Sequence, residues 1–403
     1  MANPVLGILT LYLNEKRVLE ERPVYQRMTS AARRLGMDVF VFTPEDVNYK
    51  QDRIHALIYD PETRHWSRKW TTFPQIIFDR CRIQKSKRFE RLKYFRAKYA
   101  NHLFLNRPMR NKWTVYRTLS QDSRFRPHLP ETRMYHSSRD LKEMLDKYPL
   151  LYLKPFNGTG GRGILRIQKD KGRLLIQGRD LSRRIIRPQR VLPQALLGRL
   201  SSWNLKERKY LVQQGIQLKL DNGRVHDYRM LVQKNGNGVW EVTGCAGRVG
   251  AAGSVTSNLH GGGRAERMDD LLRQWIGNEA HVARIKQHAD AFGLGVARFL
   301  EQAYGGLCEL ALDIAIDRSG QIWLLEVNPK PAREVFARIG EEETYYKAIV
   351  RPLEYALWVY SQRSRSKGLK SRTSKRRPRT RPLQGSRTGH QSILKNNEGP
   401  GLI

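Results

Sequence analysis

The chain has 403 residues, 39% of them hydrophobic, and a formal net charge of +36 at pH 7. This length and apolar content allow two or three packed domains and exclude a fibrous or wholly disordered protein. No apolar run approaches the roughly 20 residues that a membrane-spanning helix needs. Three widely spaced cysteines fit neither a disulfide framework nor a metal cluster, so we expect an intracellular, cytoplasmic protein.

Residues 1–105 alternate short apolar strands with polar helical stretches. The apolar start lacks the basic leader and small-residue cleavage site of a signal peptide, so we read it as a buried strand. The predicted strands are Val5–Leu11, Val39–Phe42, Ile54–Tyr59 and Ile76–Phe78, and the predicted helices are Tyr25–Leu35 and Ser86–Ala100. This alternation is typical of a small α/β domain built on a parallel sheet.

A second domain is predicted over residues 106–210. It begins at Asn111-Lys112 with a helix that runs to Leu119, and a strand follows within residues 129–135. Ser137 or Ser138 is placed to cap the next helix, because serine hydroxyls accept hydrogen bonds from free helix N–H groups. A strand at Leu150–Leu153 and a helix near Val191–Leu200 complete the pattern.

The strand at Leu150–Leu153 runs into the glycine-rich segment K-P-F-N-G-T-G-G-R-G, which spans Lys154 to Gly163. Its glycines allow backbone N–H groups to converge on an anion, and Lys154 adds a positive charge. Residues 164–167 read as a strand, whereas Walker loops and Rossmann fingerprints lead into a helix. We therefore predict a glycine-rich hairpin laid over a triphosphate, with an ordinary turn as the alternative.

The segment Glu309–Asp317, which reads E-L-A-L-D-I-A-I-D, alternates strictly between apolar and small or acidic residues. A two-residue turn would pair residue 317 with 320 and residue 313 with 324. Glu326 would then lie diagonal to Asp313 on the same face, with Asn328 two residues further on. Oxygen ligands without nearby Cys or His suit Mg²⁺. A slip of one residue would put the two acids on opposite faces, and a solvent-facing acidic edge is the alternative.

Basic groups follow in the last part of the chain. Asp227 and Arg229 share one face of a predicted strand, where they could pair with each other. Arg248 and the loop N-L-H-G-G-G at Asn258–Gly263 come next and could close a phosphate or acceptor site. A mobile loop is the alternative, and His260 is more simply a loop histidine than a catalytic one.

The C-terminal segment 361–403 carries much of the positive charge. Between Arg363 and Lys395 there are twelve Lys or Arg and no acid, and the segment contributes +11, which leaves +25 on the rest. Its lack of periodicity predicts a disordered tail. Such charge favours polyanions such as nucleic acid, anionic polymers or acidic proteins, with a merely solvated face as the alternative.

The order of these features resembles that of the ATP-grasp ligases, and within them the YheC/YheD-type endospore coat-associated proteins. The similarity is carried by K-P-F-N-G-T-G-G-R-G, V-Q-Q-G-I, D-Y-R, the N-x-x-G-G at Asn258–Gly262 and I-W-L-L-E-V-N-P-K-P, and it covers roughly residues 1–360. It implies an ATP-grasp fold (α/β, or α+β) with a Rossmann-like domain at 1–105, ATP-grasp subdomains at 106–210 and 211–360, and the disordered basic tail.

The resemblance also implies ATP and Mg²⁺ as cofactors and assigns them residues. Phosphate contacts fall to Lys112, Lys154 and the glycine-rich loop residues Gly158, Thr159, Gly160, Gly161 and Gly163. The adenine would be held by the hinge residues Gln213, Gln214, Gly215 and Ile216. Magnesium would be bound by Asp313, Glu326 and Asn328, and the catalytic groups would be Arg229, Arg248 and Asn258.

The implied function is an ATP-dependent carboxylate–amine ligase that activates an acid as an acyl phosphate, and an acidic acceptor would suit the basic surface. The alternative is a structural, spore-coat-associated protein that binds polyanions and keeps a weak or inactive site. The hinge of the family usually carries an acid where this chain has Gln213 and Gln214, which puts affinity and turnover in question. A nucleic-acid-binding role lacks a recognisable helix-turn-helix, zinc finger or RNA-binding platform.

Overall fold

A computed structural model of the chain describes residues 3–82, 87–109, 111–158, 162–182 and 184–374. Within these ranges the strands form three sheets, with seven, six and five members in chain order. None of the helices in the described ranges is long and apolar enough to cross a membrane.

The first sheet contains β1 Val5–Leu9, β2 Asp38–Phe42, β3 Val47–Asn48, β4 Arg53–Asp60, β5 His65–Thr72, β6 Ile76–Asp79 and β7 Leu103–Leu105. Strands β2, β1, β6 and β7 are neighbours in that order and all run parallel, as the alternating pattern predicts. Strands β4 and β5 form an antiparallel hairpin at one side. The sequence did not predict β5, because its exposed polar and aromatic residues give no apolar face.

Two helices cover this sheet, α1 at Arg22–Arg34 and α2 at Lys87–Lys98. The apolar residues of α1 pack with Leu6 and Ile8 on one face. Those of α2 pack with Leu9 and Ile77 on the other. Because successive strand residues point to opposite faces, the near-continuous apolar runs of β1 and β6 fit burial on both sides.

The second sheet is antiparallel and contains β8 Thr132–Met134, β9 Leu150–Pro155, β10 Ile164–Asp170, β11 Arg173–Arg179, β12 Ile185–Val191 and β13 Tyr210–Gln214. Its order is β12-β11-β10-β9-β13-β8. Helix α3 at Lys112–Ser120 precedes it, and α4 at Ser138–Lys147 begins after the cap residue Ser137, as predicted. Strand β13 crosses the predicted 210/211 boundary and pairs with β8 and β9 in this sheet.

One predicted element of this region is wrong in part. The helix expected near Val191–Leu200 is preceded by β12, which continues to Val191, and only α5 at Leu196–Leu200 is α-helical. A 3₁₀ turn at Pro193–Ala195 lies between them. Proline fixes its own φ and disfavours helical geometry in the residue before it, so the helix begins only after this turn.

The third sheet contains β14 His226–Lys234, β15 Trp240–Val249, β16 Arg264–Arg267, β17 Glu309–Ile316 and β18 Ile322–Asn328, in the order β16-β15-β14-β17-β18. The helices of this region are α6 Met268–Ile276, α7 Glu279–Tyr304, α8 Glu334–Arg338 and α9 Glu342–Ser374. The predicted helix near His281–Phe292 is confirmed and continues to Tyr304. Helix α9 extends into the segment 361–403, of which residues 375–403 lie outside the described part.

The three sheets do not share their cores equally. The second sheet packs its own apolar cluster with α4 and α5. The third sheet packs against α6 and α7, and the same cluster takes in Val115 and Leu119 of α3. Another cluster joins β1 and α1 of the first sheet to Ala246 and Leu231 of the third sheet and to α9. The first and third sheets are therefore bound together by a common core.

A buried group of charges also joins the first and third sheets. The guanidinium of Arg80, which follows β6, contacts Glu21 at 2.7 Å and Glu309 of β17 at 2.5 Å. Arg333 completes the group by donating to the other oxygen of Glu309. Buried charges are tolerated where each has a partner and hydrogen bonds, so this cluster fixes the position of β17 against the end of β6.

Candidate functional site

A cavity of about 470 Å³ is lined by residues of all three sheets. Twelve of the residues predicted for the site line it: Lys112, Lys154, Gly158, Gln213, Gln214, Ile216, Arg229, Arg248, Asn258, Asp313, Glu326 and Asn328. Two predicted residues, Gly163 and Gly215, are not among the lining residues. Three more, Thr159, Gly160 and Gly161, lie outside the described residues. The structure therefore brings most of the predicted groups together around one space.

The glycine-rich segment connects two antiparallel strands, as predicted. Leu153 of β9 pairs with Leu165 of β10, so a strand and not a helix follows the glycines. Gly163 has φ of +65°, which disfavours any residue with a side chain, and its N–H donates to the carbonyl of Asp180. Gly215 packs so closely that a Cβ there would lie 2.2 Å from Cγ of Leu150. These two glycines shape the backbone on either side of Lys154.

Lys154 is held by the hinge strand. Its Nζ donates to Oε1 of Gln213 at 2.5 Å, and Nε2 of Gln213 donates to the hydroxyl of Thr132 at 2.9 Å. Burial, and then the charge of Lys112, lower the pKa of Lys154 to about 8. Gln213 thus orients the lysine but supplies no negative charge to keep it protonated.

We expect the affinity for an anionic nucleotide to fall as the pH rises through 8. The pKa of Lys154 lies below its ordinary value, so its charge is present at pH 7 and mostly lost at pH 9, and binding should weaken about tenfold between them. Gln213→Glu places a carboxylate beside Nζ and should flatten this dependence. Gln214→Glu is the matched control, because Gln214 contacts the backbone N–H of Glu131 and not the lysine. Titration calorimetry at both pH values tests this, and equal slopes in all three proteins would contradict it.

Lys112 reaches the cavity from the first turn of α3. Asn111 caps this helix by accepting from the N–H of Thr114 at 2.9 Å. The Nζ of Lys112 lies 3.1 Å from Oε2 of Glu326. The cap fixes where the helix begins, and so it fixes the position of the lysine.

Removing this cap should have a modest effect. We expect Asn111→Ala to lower the free energy of unfolding by about 1 kcal/mol, because one helix N–H loses its acceptor. Asn111→Asp, which keeps the acceptor, is the control. Urea unfolding of both variants measures the difference, and an unchanged midpoint in the alanine variant would refute the role of the cap.

The hairpin of β17 and β18 has a different register from the one predicted. Asp317 N–H bonds to the carbonyl of Gln321, so the turn is one residue longer than expected, and Ile314 pairs with Leu324. A β-bulge at Leu325 then places Glu326 directly opposite Asp313. The longer turn alone would separate the acids, and the extra residue of the bulge returns them to one face. The predicted diagonal register is wrong, but the shared face is confirmed.

Two aspartates and two arginines form a network beside these acids. Asp313 accepts from Arg229 at 2.8 and 2.9 Å and from Arg248 at 3.1 Å. Arg248 also donates twice to Asp227, at 2.7 Å each. Asp227 and Arg229 therefore pair across the sheet with other strands and not with each other. Burial favours the neutral acid, but Arg229 and then Arg248 outweigh it and lower the pKa of Asp313 to about 2.

The three predicted metal ligands have the chemistry that Mg²⁺ requires. Asp313 and Glu326 offer carboxylate oxygens on one face, and Asn328 follows on the same strand face. The Nδ2 of Asn328 is buried without a hydrogen-bond partner among the described residues, and a half-turn of the amide would present its oxygen instead. In the described part of the chain no three His, Cys, Asp or Glu side chains form a metal-ligating group. Magnesium commonly uses one or two carboxylates with phosphate and water, so the residues fit this ion.

A further wall of the cavity was missed by the sequence analysis. It is formed by basic side chains that follow strands of the first sheet, Arg82 and Arg96, or of the third sheet, Lys330 and Arg338. Asp79 of β6 holds Arg96 through two hydrogen bonds and lies 3.4 Å from Nζ of Lys330. Lys330 belongs to the quoted I-W-L-L-E-V-N-P-K-P, so its place after Asn328 was a usable signal. The arginines of the first sheet gave none.

The loop of residues 250–263 closes one side of the cavity. Tyr152 of β9 donates to the carbonyl of Val255 at 3.3 Å, and Arg179 of β11 donates to the carbonyl of Gly261 at 2.9 Å. Asn258 lines the cavity from this loop. The loop therefore spans from the third sheet to the second over the space that the predicted groups surround.

Comparison with known proteins agrees with this arrangement. A family model described as YheC/D like ATP-grasp matches residues 101–359. The endospore coat-associated protein YheC of Bacillus subtilis (strain 168) is 28% identical over 357 residues, which cover 86% of this chain and 94% of YheC. The endospore coat-associated protein YheD of the same organism is 24% identical, over 88% of this chain and 79% of YheD.

Solved structures with low sequence identity also align with the chain. The D-cycloserine synthetase DcsG shares 13% identity over 87% of this chain and 99% of its own, with a TM-score of 0.49. The D-alanyl-alanine synthetase A of Vibrio cholerae shares 10% identity over 88% and 99%, with a TM-score of 0.47. The family match, however, covers well over half of the sequence. The chain therefore belongs to the YheC/D-like ATP-grasp family.

Proposed function

We propose that this protein is an ATP-dependent ligase that joins a carboxylic acid to an amine. The observation that supports this most directly is the meeting of Lys154, Lys112, the paired acids Asp313 and Glu326, and Arg229 around one cavity. Cations for phosphate, oxygen ligands for a metal and a guanidinium beside them are what phosphoryl transfer requires. Membership of the ATP-grasp family agrees with this chemistry.

In this proposal the second and third sheets divide the nucleotide between them. Lys154 and the turn that follows it contact the phosphates, and the hinge residues Gln213–Ile216 hold the adenine. Lys112, which is paired with Glu326 in the structure, turns to a phosphate. Asp313, Glu326 and Asn328 hold Mg²⁺, which supplies charge neutralisation at the phosphate oxygens.

The proposed reaction has two steps, phosphorylation of the acid and attack of the amine on the acyl phosphate. An oxygen of the acid attacks the γ-phosphorus, the bond to the β-γ bridging oxygen breaks, and ADP leaves with that electron pair. The amine nitrogen then attacks the acyl carbon, phosphate leaves and the nitrogen loses its proton to water. Arg229 and Arg248 lie where negative charge develops, and the wall formed by Arg82, Arg96, Lys330 and Arg338 suits the acid.

An isotope experiment tests this proposal without knowledge of the amine. The protein is incubated with Mg-ATP, hydroxylamine as a general amine, and pools of ¹⁸O-labelled carboxylic acids. Transfer of one ¹⁸O into the released phosphate is expected with the correct acid, because the attacking oxygen leaves with the phosphoryl group. Lys154→Ala should abolish the signal. If the wild-type protein released phosphate that contained no ¹⁸O with any of the acids, the reaction would be plain ATP hydrolysis. That result would overturn the ligase proposal.

The names of the relatives support a second candidate, association with the spore coat. Both curated relatives are called endospore coat-associated, and the basic segment after residue 361 would bind polyanions there. A fluorescent fusion of this protein in a sporulating bacterium should then locate to the coat layer. Removal of residues 375–403 should reduce the fluorescence at the coat. Diffuse fluorescence in the mother cell would exclude this role. Coat association and ligase activity can coexist, and the isotope experiment reports on the second alone.

A further inference from the structure

The outer edge of the second sheet carries an unusual set of exposed side chains. Between residues 173 and 199 the sequence has seven arginines, one acid, no lysine and no aromatic residue. Ten large hydrophobic side chains are exposed in the described part of the chain, and four of them fall here: Leu181, Leu192, Leu197 and Ile185, the last 62% exposed. A surface kept polar for solubility would not combine arginine with this much aliphatic area.

We define the edge surface as Leu181, Arg184, Ile185 and Arg187, all exposed on β12 or on the turn before it. The guanidinium groups of Arg184 and Arg187 have no hydrogen bond or ion pair among the described residues. The single acid, Asp180, is already engaged, because its carboxylate accepts from the N–H groups of Ser182 and Arg184. The positive charge of this surface is therefore not neutralised within the described chain.

The edge surface adjoins the nucleotide cavity. Ile185 pairs with Arg179, which donates to the loop of residues 250–263. On the other side, Leu181 lies against the end of the glycine-rich turn, where a Cβ on Gly163 would come within 2.9 Å of it. A molecule bound here would contact the two segments that border the cavity.

We propose that the edge surface docks an acidic polypeptide segment that also carries aliphatic side chains, and that this segment belongs to the acceptor. Arginine without lysine is typical of protein interfaces, where a planar guanidinium pairs with carboxylates and packs on apolar groups. Nucleic acid fits less well, because no aromatic side chain is present on which bases could stack.

The partner is held by side chains and not by strand addition. Although β12 is the last strand of its sheet, it contains Pro188, and its pairing with β11 shifts between Ile176 and Gly178. Proline and a bulge are devices that prevent an edge strand from pairing with another chain. Specificity must therefore come from the alternation of carboxylates and aliphatic groups on the partner.

The proposal rests on the ligase function only in its explanation of why a partner docks beside the cavity. The test therefore measures binding and not activity. Full-length protein is titrated into fluorescein-labelled (Glu-Leu-Glu-Ser)₄, into (Glu-Ser)₈, and into a single-stranded oligonucleotide, at physiological salt. The triple variant Arg184→Glu, Ile185→Ser, Arg187→Glu is compared with the control Lys50→Glu, Arg64→Glu, Lys69→Glu, whose sites are exposed on β5 or on turns between strands of the first sheet. Both variants keep the basic C-terminal segment, so its contribution cancels.

We expect the leucine-containing peptide to bind more tightly than the peptide without leucine. The edge variant should lose about tenfold or more in affinity for it, and the control should lose less than twofold. Equal losses in both variants would show a general effect of charge and overturn the proposal. A larger loss of affinity for the oligonucleotide than for the leucine-containing peptide in the edge variant would assign the surface to nucleic acid instead. The Mg-ATP-induced shift in melting temperature should be unchanged in the edge variant. Its absence in the wild type would count against the nucleotide site and leave the docking result standing.

Discussion

Replacing Glu326 with glutamine is expected to lower the affinity for Mg-ATP by about 100-fold, since even the residues that only support a metal ligand commonly contribute 10- to 100-fold. The carboxylate lies directly opposite Asp313, so its loss removes one of the two carboxylates that are proposed to bind the cation. Titration calorimetry with and without Mg²⁺ measures this. Without Mg²⁺ the variant should bind ATP no worse than the wild type, because Lys112 is released from its ion pair.

Asp317→Asn is the matched control for this experiment. Asp317 lies in the same hairpin, but its carboxylate accepts from the backbone of Ser319 and Gln321, and asparagine keeps such an acceptor. The control should bind Mg-ATP as the wild type does. If Glu326→Gln bound equally well in the presence of Mg²⁺, the metal site would have to lie elsewhere.

Replacing Arg248 with methionine is expected to lower the free energy of unfolding by about 3–5 kcal/mol, the range for breaking a buried ion pair by removing one partner. Asp227 would lose both of its hydrogen bonds to Arg248, and Asp313 would lose one. Arg248 is only 4% exposed, so water cannot readily take its place. Urea denaturation measures the change.

A second substitution distinguishes the buried charge from lost packing. Asp227→Asn combined with Arg248→Met should recover a large part of the loss, because the stranded carboxylate is then absent. Arg273→Met, which breaks an exposed pair with Asp270 and Glu279, should have no measurable effect. If Arg248→Met alone cost less than about 1 kcal/mol, the network would contribute little to folding.

Much of the site could be predicted because its strands alternate clearly. Asp313 lies in a strand whose apolar residues occupy every second position, and the structure places β17 at Glu309–Ile316 as expected. The glycine-rich hairpin was likewise readable, since β-branched and aliphatic residues follow the glycines. Where local pattern decides the structure, sequence alone located the residues correctly.

The parts that could not be predicted depend on contacts between distant segments. The sequence near Leu325 does not predict a bulge. The bulge arises because β18 must both follow the longer turn and place Glu326 opposite Asp313. Glu309 looked like one more acid on the metal-binding face, yet it is fully buried against Arg80 and Arg333. Its partners lie 229 and 24 residues away, and such pairings have no local signature.

The uneven sharing of cores has a mechanical consequence. Asn106, in a left-handed conformation, donates to the carbonyl of Pro329, and Lys330 is anchored on the carbonyls of Asp79 and Asn106. With the Arg80 cluster, these links hold the first and third sheets together. The second sheet keeps a core of its own, and the side-chain contacts of Tyr152 and Arg179 with the loop of residues 250–263 join it to the third sheet.

The two lysines proposed to bind phosphate therefore belong to different cores. Lys112 lies on α3, which packs into the core of the third sheet, whereas Lys154 lies on β9 of the second sheet. In the proposed function, a triphosphate that attracts both lysines would link the second sheet to the third, in addition to the contact of Arg179 with Gly261. Nucleotide binding is then expected to stabilise the arrangement of the two cores around the cavity.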